Sequence, residues 1–236
     1  MSKRRKIVGV LISDAHHKFF RQCLYHIQKE LLKNNIDVVT FTTLCHAGVE
    51  AGYAAAECSV YEVMDLEELD GLIIYPTTFY MEQQKDVLER IRREFDKPVI
   101  CLEYENEYGF PTVPFGRENG MELLVAHLTK EHGVKSIRLV AGHSDEVVPF
   151  DMALREDFLN ACAKYGIAAR EEDFFDGGFW IHTGEDIAEK LIASEEGLPN
   201  AVICVSDEGA AALTAALEAR GVRVPEDVIV AGYGSD

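Results

Sequence analysis

The stretch from residue 199 to residue 232, PNAVICVSDEGAAALTAALEARGVRVPEDVIVAG, constrains the fold more than any other part of the sequence. A short apolar run, 201–205, ends at Ser206 and Asp207, and an alanine-rich segment of helical pattern follows. After a turn comes a second apolar run, 228–231. This order predicts a strand, a helix and a second, parallel strand. Since ligands of open α/β sheets bind at the carboxyl ends of the strands, the polar pair is also a candidate site.

The rest of the sequence repeats this alternation. Further strands are predicted at residues 6–12, 37–41, 71–75, 98–102, 136–141 and near 174–175. Helices are predicted at 48–63, 151–165 and 183–195, and around the apolar stripes 20–31, 87–91 and 124–128. Apolar strands separated by amphipathic helices indicate parallel sheets that are covered on both faces.

The alternation lapses between residues 103 and 115, where EYENEYGFPTVPF contains two prolines, a glycine and three glutamates. We interpret this stretch as the crossover between two lobes. The sequence therefore predicts an α/β fold of two doubly wound parallel-sheet lobes around a ligand cleft. The expected bounds are a first lobe at 1–106, a crossover hinge at 107–116 and a second lobe at 117–236.

Charge and composition exclude several classes of function. The net charge of −18 repels phosphate backbones, so this chain itself is not expected to bind DNA. The basic cluster 3–6 is interpreted as a solvated start to the first strand. The apolar run 7–12 is too short for export or for a membrane span, which predicts a cytoplasmic protein without membrane contact.

The six cysteines show no C-x-x-C spacing, which predicts core thiols and neither disulfides nor a metal site. The sequence contains no G-x-S-x-G, no P-loop, no H-E-x-x-H and no G-x-G-x-x-G after its first strand. We therefore expect neither an enzyme nor a bound cofactor.

Polar residues at the predicted strand ends are the candidate ligand contacts: Ser13, Asp14, Thr77, Glu103 and Asp207. Each has a structural alternative. The two aspartates can cap the helices that follow them, although Ser206 can cap in place of Asp207. Thr77 and Glu103 can be plain loop residues. Both interpretations stay open at this point.

Arg155 lies on the apolar side of its predicted helix, which carries Phe158 and Cys162. If Asp151 caps that helix, the arginine falls in the first turn, where the helix dipole disfavours a cation. One explanation is an i−4 ion pair with Asp151. The other is a fork of N–H donors directed at ligand hydroxyls or carboxylates. Similarly, the aromatic pair Phe179-Trp180 can stack on a ligand ring or cover the core.

Several ordered segments resemble the effector-binding core of the LacI/GalR family, which has the type 1 periplasmic-binding-protein fold. The resembling segments are IVGVLISDAHHKFFRQCLYHIQKEL, DGLIIYPTTF, ENGMELLVAHLTKEHGVKSIRLVAG, ALREDF and the stretch 199–232. The resemblance implies effector contacts at Asp14, Arg155, Phe179 and Asp207, and also at Ser13, Phe19, Thr77 and Glu103. It implies small polar effectors such as sugars or nucleosides, which close the lobes and shift a homodimer between output states.

The chain departs from the family pattern in informative places. Asp157 replaces the glycine of the R-x-x-G-F box, and Gly232-Tyr233-Gly234 lacks the acidic residue of the family's closing motif. Met1 directly precedes the first strand, so the N-terminal helix-turn-helix headpiece is expected to be missing. The chain also ends before the family's return segment. We therefore expect a sensor module of a transcription regulator with a downstream output domain. The alternatives are a sensor preceding a diguanylate cyclase or histidine kinase, and a transport solute-binding protein.

Overall fold

The computed structural model describes residues 4–15, 18–44, 56–79, 81–114, 119–142, 149–170, 173–177 and 183–234. The chain divides into two compact units, residues 1–116 and residues 117–236. The first unit contains β1 (Lys6–Ile12), α1 (Lys18–Lys33), β2 (Ile36–Thr42), a 3-10 turn (Ser59–Tyr61), β3 (Gly71–Ile74), a second 3-10 turn (Pro76–Thr78), α2 (Met81–Glu94), β4 (Val99–Leu102) and β5 (Thr112–Val113).

All strands of the first sheet are parallel, in the order β2-β1-β3-β4-β5. Alternate side chains of β1 enter different apolar clusters because successive residues of a strand point to opposite faces. Leu11 packs with Leu88 and Ile91 of α2. Ile12 packs with Phe20 and other half-buried residues of α1. The sheet is therefore covered on both faces, as the continuous apolar runs predict.

The second unit contains α3 (Gly120–His132), β6 (Ile137–Ala141), α4 (Pro149–Lys164), β7 (Phe174–Asp176), α5 (Gly184–Ile192), β8 (Ala201–Cys204), α6 (Asp207–Ala219) and β9 (Ile229–Gly232). Its strands are again parallel, in the order β7-β6-β8-β9. Leu139 of β6 packs in the cluster that holds residues of α3 and α4. Its neighbour Val140 packs in the cluster that holds residues of α5 and α6. The prediction of two doubly wound parallel sheets is confirmed.

Three details add to or differ from the predictions. Most of the helix predicted at 48–63 lies outside the described residues, and its described end passes into the 3-10 turn that stops at Tyr61. The expected crossover at 107–116 includes β5, which pairs with β4 at the edge of the first sheet. The helix that carries Arg155 already includes Pro149, so it starts before the predicted residue 151.

Arg90 of α2 fixes the loop that precedes β3. Its guanidinium donates hydrogen bonds to the carbonyl oxygens of Tyr61 (2.8 Å), Glu62 (2.9 Å) and Met64 (3.0 Å). It also pairs with Glu94, one helical turn further on. The planar guanidinium of Arg90 thus satisfies three backbone carbonyl oxygens that accept no hydrogen bond from the backbone of the described helices or strands.

Cys23, Cys58, Cys101, Cys162 and Cys204 are free thiols, and all except Cys23 are buried. Burial raises the pKa of Cys101 to about 11 and that of Cys162 to about 12. Burial also raises the pKa of Cys204 to about 12. Within the described ranges, no helix combines the length and apolar character that crossing a membrane requires.

Candidate functional site

Both sheets share a strand order in which the second strand lies outside the first and the third lies inside it. In sheets of this order, the chain leaves the first and third strands in opposite directions, and a crevice opens between their carboxyl ends. This switch point falls between β1 and β3 in the first unit and between β6 and β8 in the second. The predicted site residues Ser13, Asp14 and Thr77 follow β1 and β3, and Asp207 follows β8.

Ser13 is a buried residue that joins three elements of the first unit. Its N–H donates to the Thr78 hydroxyl at 2.9 Å, and its own hydroxyl lies 2.9 Å from that of Tyr61. Only 1% of Ser13 is exposed. Its hydrogen bonds hold the end of β1 against the turn that follows β3.

Asp14 and Glu103 adopt left-handed backbone conformations, with φ of 55° and 53°. This region is uncommon for residues other than glycine, although aspartate enters it more readily than glutamate, and such strain concentrates at functional sites. Asp14 directly follows Ser13 at the end of β1, and Glu103 follows β4. The N–H of Glu103 is fixed by a 3.0 Å hydrogen bond to the Val113 carbonyl. The carboxyl ends of two strands thus hold acidic residues in backbone conformations that cost energy.

The helix-cap alternative for Asp14 stays open. Helix α1 spans Lys18–Lys33, and residues 16–17, which precede it, lie outside the described residues. The Asp14 carboxylate is buried, with 3% of the residue exposed. A buried acid at a switch point lies where ligands of such sheets bind, so a ligand contact for Asp14 stays a prediction.

Tyr75, at the end of β3, is a residue of this site that the sequence did not single out. Burial raises the pKa of its phenol, the negative charge of Glu103 raises it further, and a hydrogen bond with Thr77 lowers it. The phenol therefore stays neutral and can both donate and accept a hydrogen bond. The ring of Phe20 meets the Tyr75 ring edge-on at 5.4 Å. In the sequence, the signal that could have identified Tyr75 was an aromatic residue between a predicted strand and a proline.

Arg155 reaches the carboxyl ends of two strands of the second sheet. Its Nη2 donates to the carbonyl oxygen of Gly142 (3.0 Å), which follows β6, and to Asp176 Oδ1 (2.9 Å), at the end of β7. The guanidinium carbon lies 5.0 Å from the centre of the Phe174 ring. Because α4 already includes Pro149, Arg155 lies beyond its first turn, and the expectation that it opposes the helix dipole in the first turn is wrong.

The contacts of Arg155 leave part of its guanidinium available. Among the described residues, both of its hydrogen bonds come from Nη2. A guanidinium has five N–H donors, so Nε and Nη1 retain donors for a ligand. The side chain is 21% exposed, and its partner Asp176 is 44% exposed. The arginine is held in place from one side and remains accessible to a small molecule.

Asp207 lies at the other switch-point strand of the second sheet. Ser206 is the N-cap of α6, since its hydroxyl accepts the N–H of Gly209 at 3.0 Å. The capping alternative for Asp207 is therefore wrong, and this residue is the first of the helix. Its carboxylate lies against Gly232 at the end of β9, where a methyl group would approach Oδ1 to 2.0 Å. Glycine at this position gives the carboxylate its room.

The remaining predicted residues occupy different situations. Phe19 lies on α1, is 38% exposed and meets Phe20 edge-on at 5.6 Å. Thr77 and Glu103 are half-buried. Phe179 lies outside the described residues. The structure thus brings Ser13, Asp14 and Thr77 together at one edge of the first sheet, and Arg155 and Asp207 at one edge of the second.

Comparison with known proteins bears on the fold of this chain. Residues 125–236 match the family described as a periplasmic binding protein-like domain. The HTH-type transcriptional repressor PurR of Photobacterium profundum is 23% identical over 229 residues, which are 97% of this chain and 64% of the relative. The chain thus spans a little under two thirds of the length of this relative.

Solved structures of LacI-family regulators share the fold. A sugar-binding transcriptional regulator of Escherichia coli, complexed with phosphate, has a TM-score of 0.71 at 22% identity, covering 98% of this chain and 78% of the other. The lac repressor dimer bound to operator and the anti-inducer ONPF has a TM-score of 0.74 at 20% identity, covering 98% and 75%. The predicted resemblance to the effector-binding core of the LacI/GalR family is confirmed.

Proposed function

We propose that this chain is the cytoplasmic effector-sensing module of a LacI-like transcription regulator, without catalytic activity of its own. The observation that carries the proposal is the placement of Asp14 and Asp207 at the switch points of two sheets with the same strand order. Arg155, held at the second of these edges, adds a donor group of the opposite charge. The relatives named above are transcriptional repressors and regulators, which supports the kind of output.

The proposed effector is a small polar molecule such as a sugar or a nucleoside. Carboxylates accept hydrogen bonds from hydroxyl and amino groups, and an arginine fork donates to hydroxyl, carbonyl or carboxylate oxygens. Tyr75 and Phe19 add aromatic surface to these polar groups. Such a mixture of aromatic faces and a few placed polar groups is typical of small-molecule sites.

The proposed mechanism is ligand-driven closure of the two lobes, which shifts a dimer between output states. A ligand changes the balance between two conformations only by the difference in its affinity for them. The direct test is therefore of ligand binding by this chain.

A thermal-shift screen of sugars, nucleosides and purines tests the site. We expect at least one compound to raise the melting temperature of the wild type, because a ligand that binds the native state stabilises it. Arg155→Ala is expected to lose that response. Arg223→Ala is the matched control, since Arg223 is also ion-paired but lies before β9, at the opposite edge of the sheet. If no compound stabilises the wild type, the proposed effector class is wrong; an undiminished response of Arg155→Ala refutes the site.

For the dimer, we propose the exposed side of α1 in the first lobe as the contact surface. Tyr25 and Leu32 are seven residues apart, on one side of this helix, and are 58% and 54% exposed. Tyr25→Glu/Leu32→Glu is expected to give a monomer in sedimentation analysis. Leu123→Glu, at an equally exposed leucine of α3, is expected to stay dimeric. A monomeric wild type would refute the dimer, and a dimeric double variant would refute the surface.

A further inference from the structure

Two histidines at the carboxyl end of α3 bring their imidazoles together on the surface of the second unit. His127 Nε2 and His132 Nε2 share a 3.1 Å hydrogen bond, in which a bound metal ion would replace the proton, and the ring centres are 4.9 Å apart. Both residues are exposed and belong to no apolar cluster of the described core. Neither residue lies at the strand ends that form the candidate effector site.

From this pair we infer a surface binding site for a divalent transition-metal ion such as Zn²⁺, Ni²⁺ or Cu²⁺. Imidazole nitrogen is a preferred ligand of these ions. A metal about 2.0–2.1 Å from each nitrogen would span the observed separation with an N–metal–N angle of roughly 95–102°. This angle suits neighbouring ligands of octahedral or square-planar ions directly, and a small ring rotation opens it to the tetrahedral value.

The end of α3 holds the two rings in this arrangement. Gly133 adopts φ of 64°, and the N–H of Val134 donates to the Leu128 carbonyl at 3.2 Å, which closes the helix directly after His132. Since the last turn is closed in this way, the spacing of the two imidazoles does not depend on a frayed helix end. Once one imidazole has bound the ion, the other imidazole already lies beside it. Its coordination is then an intramolecular step, which strengthens binding.

The local electrostatics also favour a cation. The carboxyl end of a helix carries a partial negative charge, which stabilises positive charge within its last turn. Lys130 is the lysine of this last turn, and its Nζ lies over the Tyr165 ring, 5.1 Å from the ring centre. Across the described residues, no group of three or more His, Cys, Asp or Glu side chains is placed to hold a metal. Two protein ligands and water therefore complete the coordination that we infer.

Calorimetric titration of the tag-free chain with ZnCl₂ tests the inference. We expect one binding event that weakens by about tenfold or more in His127→Ala and in His132→Ala, because each variant loses the chelate. His26→Ala, which removes an exposed histidine of α1, is the matched control and is expected to bind zinc as the wild type does. Equal zinc affinity in all four proteins, or no binding heat in the wild type, would overturn the site.

A spectroscopic readout separates a lost ligand from a disturbed fold. Electron paramagnetic resonance of the Cu²⁺-loaded chain is expected to show coupling to two imidazole nitrogens in the wild type and to one in each single variant. Circular dichroism of His127→Asn and His132→Asn should match that of the wild type, since both side chains are exposed. A copper spectrum that is unchanged in the variants would place the ion elsewhere and refute the inference.

Discussion

The contact between Asp207 and Gly232 makes a specific prediction about the end of β9. A methyl group at position 232 would lie 2.0 Å from Asp207 Oδ1 and 3.1 Å from Asp207 Cα. The first distance is more than an ångström too short, so in Gly232→Ala the carboxylate must move or the strand must shift. Overpacking of this kind costs about 1–3 kcal/mol. The loss of glycine's flexibility in the unfolded chain offsets roughly 0.4–1 kcal/mol of that cost.

We therefore expect Gly232→Ala to lower the free energy of unfolding by about 1.5 kcal/mol, near the middle of the range of roughly 0–2.6 kcal/mol that these two figures leave, measured by urea denaturation followed by circular dichroism. Gly234→Ala is the matched control. A methyl group there would meet atoms of Asp207 at 3.7–3.8 Å, which is ordinary van der Waals contact. This control is expected to change the free energy by less than about 0.5 kcal/mol.

A double-mutant cycle identifies the carboxylate as the cause. In an Asp207→Ala background the Oδ1 atom is gone, and only the 3.1 Å approach to Cα remains. The cost of Gly232→Ala should then fall by about 1 kcal/mol, which is the coupling expected for groups in direct contact. If the glycine substitution costs the same in both backgrounds, the carboxylate does not occupy the space that we describe, and the reasoning fails.

Other contacts give predictions with equally direct measurements. Arg90→Ala should lower the free energy of unfolding by about 2 kcal/mol, since three backbone carbonyls lose a charged donor. The control Arg92→Ala, on the exposed side of α2, should change this free energy by less than about 0.5 kcal/mol. Ser206→Ala should cost about 1 kcal/mol through loss of the α6 cap, and Ser206→Asp should retain most of the stability. At pH 8 the raised pKa of Cys204 leaves little of its thiol as thiolate. Iodoacetamide should therefore label Cys204 far more slowly than half-buried Cys23 until urea unfolds the chain. Equal labelling rates in the folded chain would contradict the burial of Cys204.

The strands of both sheets were predictable because each is a run of apolar residues, and burial on both faces leaves a local pattern that the sequence displays. Strand β5 was not predictable, since a strand of two residues beside Pro111 is too short to show a periodic pattern of apolar residues. Its hydrogen bonds come from partners in β4, such as the 2.8 Å bond from the Cys101 N–H to the Pro111 carbonyl. Pairing between segments decided its structure, and local pattern did not.

For the candidate site, the sequence indicated which residues lie at strand ends, but it did not indicate which side chains contact one another. Asp14 and Asp207 were predictable because polar residues at the ends of apolar strands are visible in the sequence. The pairing of Arg155 with Asp176 was not, because 21 residues and a turn separate them. Likewise, no local signal links Asp207 with Gly232, which come together only when β8 and β9 pair. That these side chains bind an effector stays a prediction.

Each of the two sheets is built from strands of one continuous part of the chain, which has a consequence for synthesis on the ribosome. Every described strand of the first sheet lies before residue 114, and every described strand of the second lies after residue 136. Among the described strands, none is exchanged between the two sheets. Since domains fold as units, with the N-terminal one first during translation, pairing of the first five strands need not wait for the second sheet to emerge. Ribosome-bound nascent chains that expose residues 1–116 should therefore already resist proteolysis.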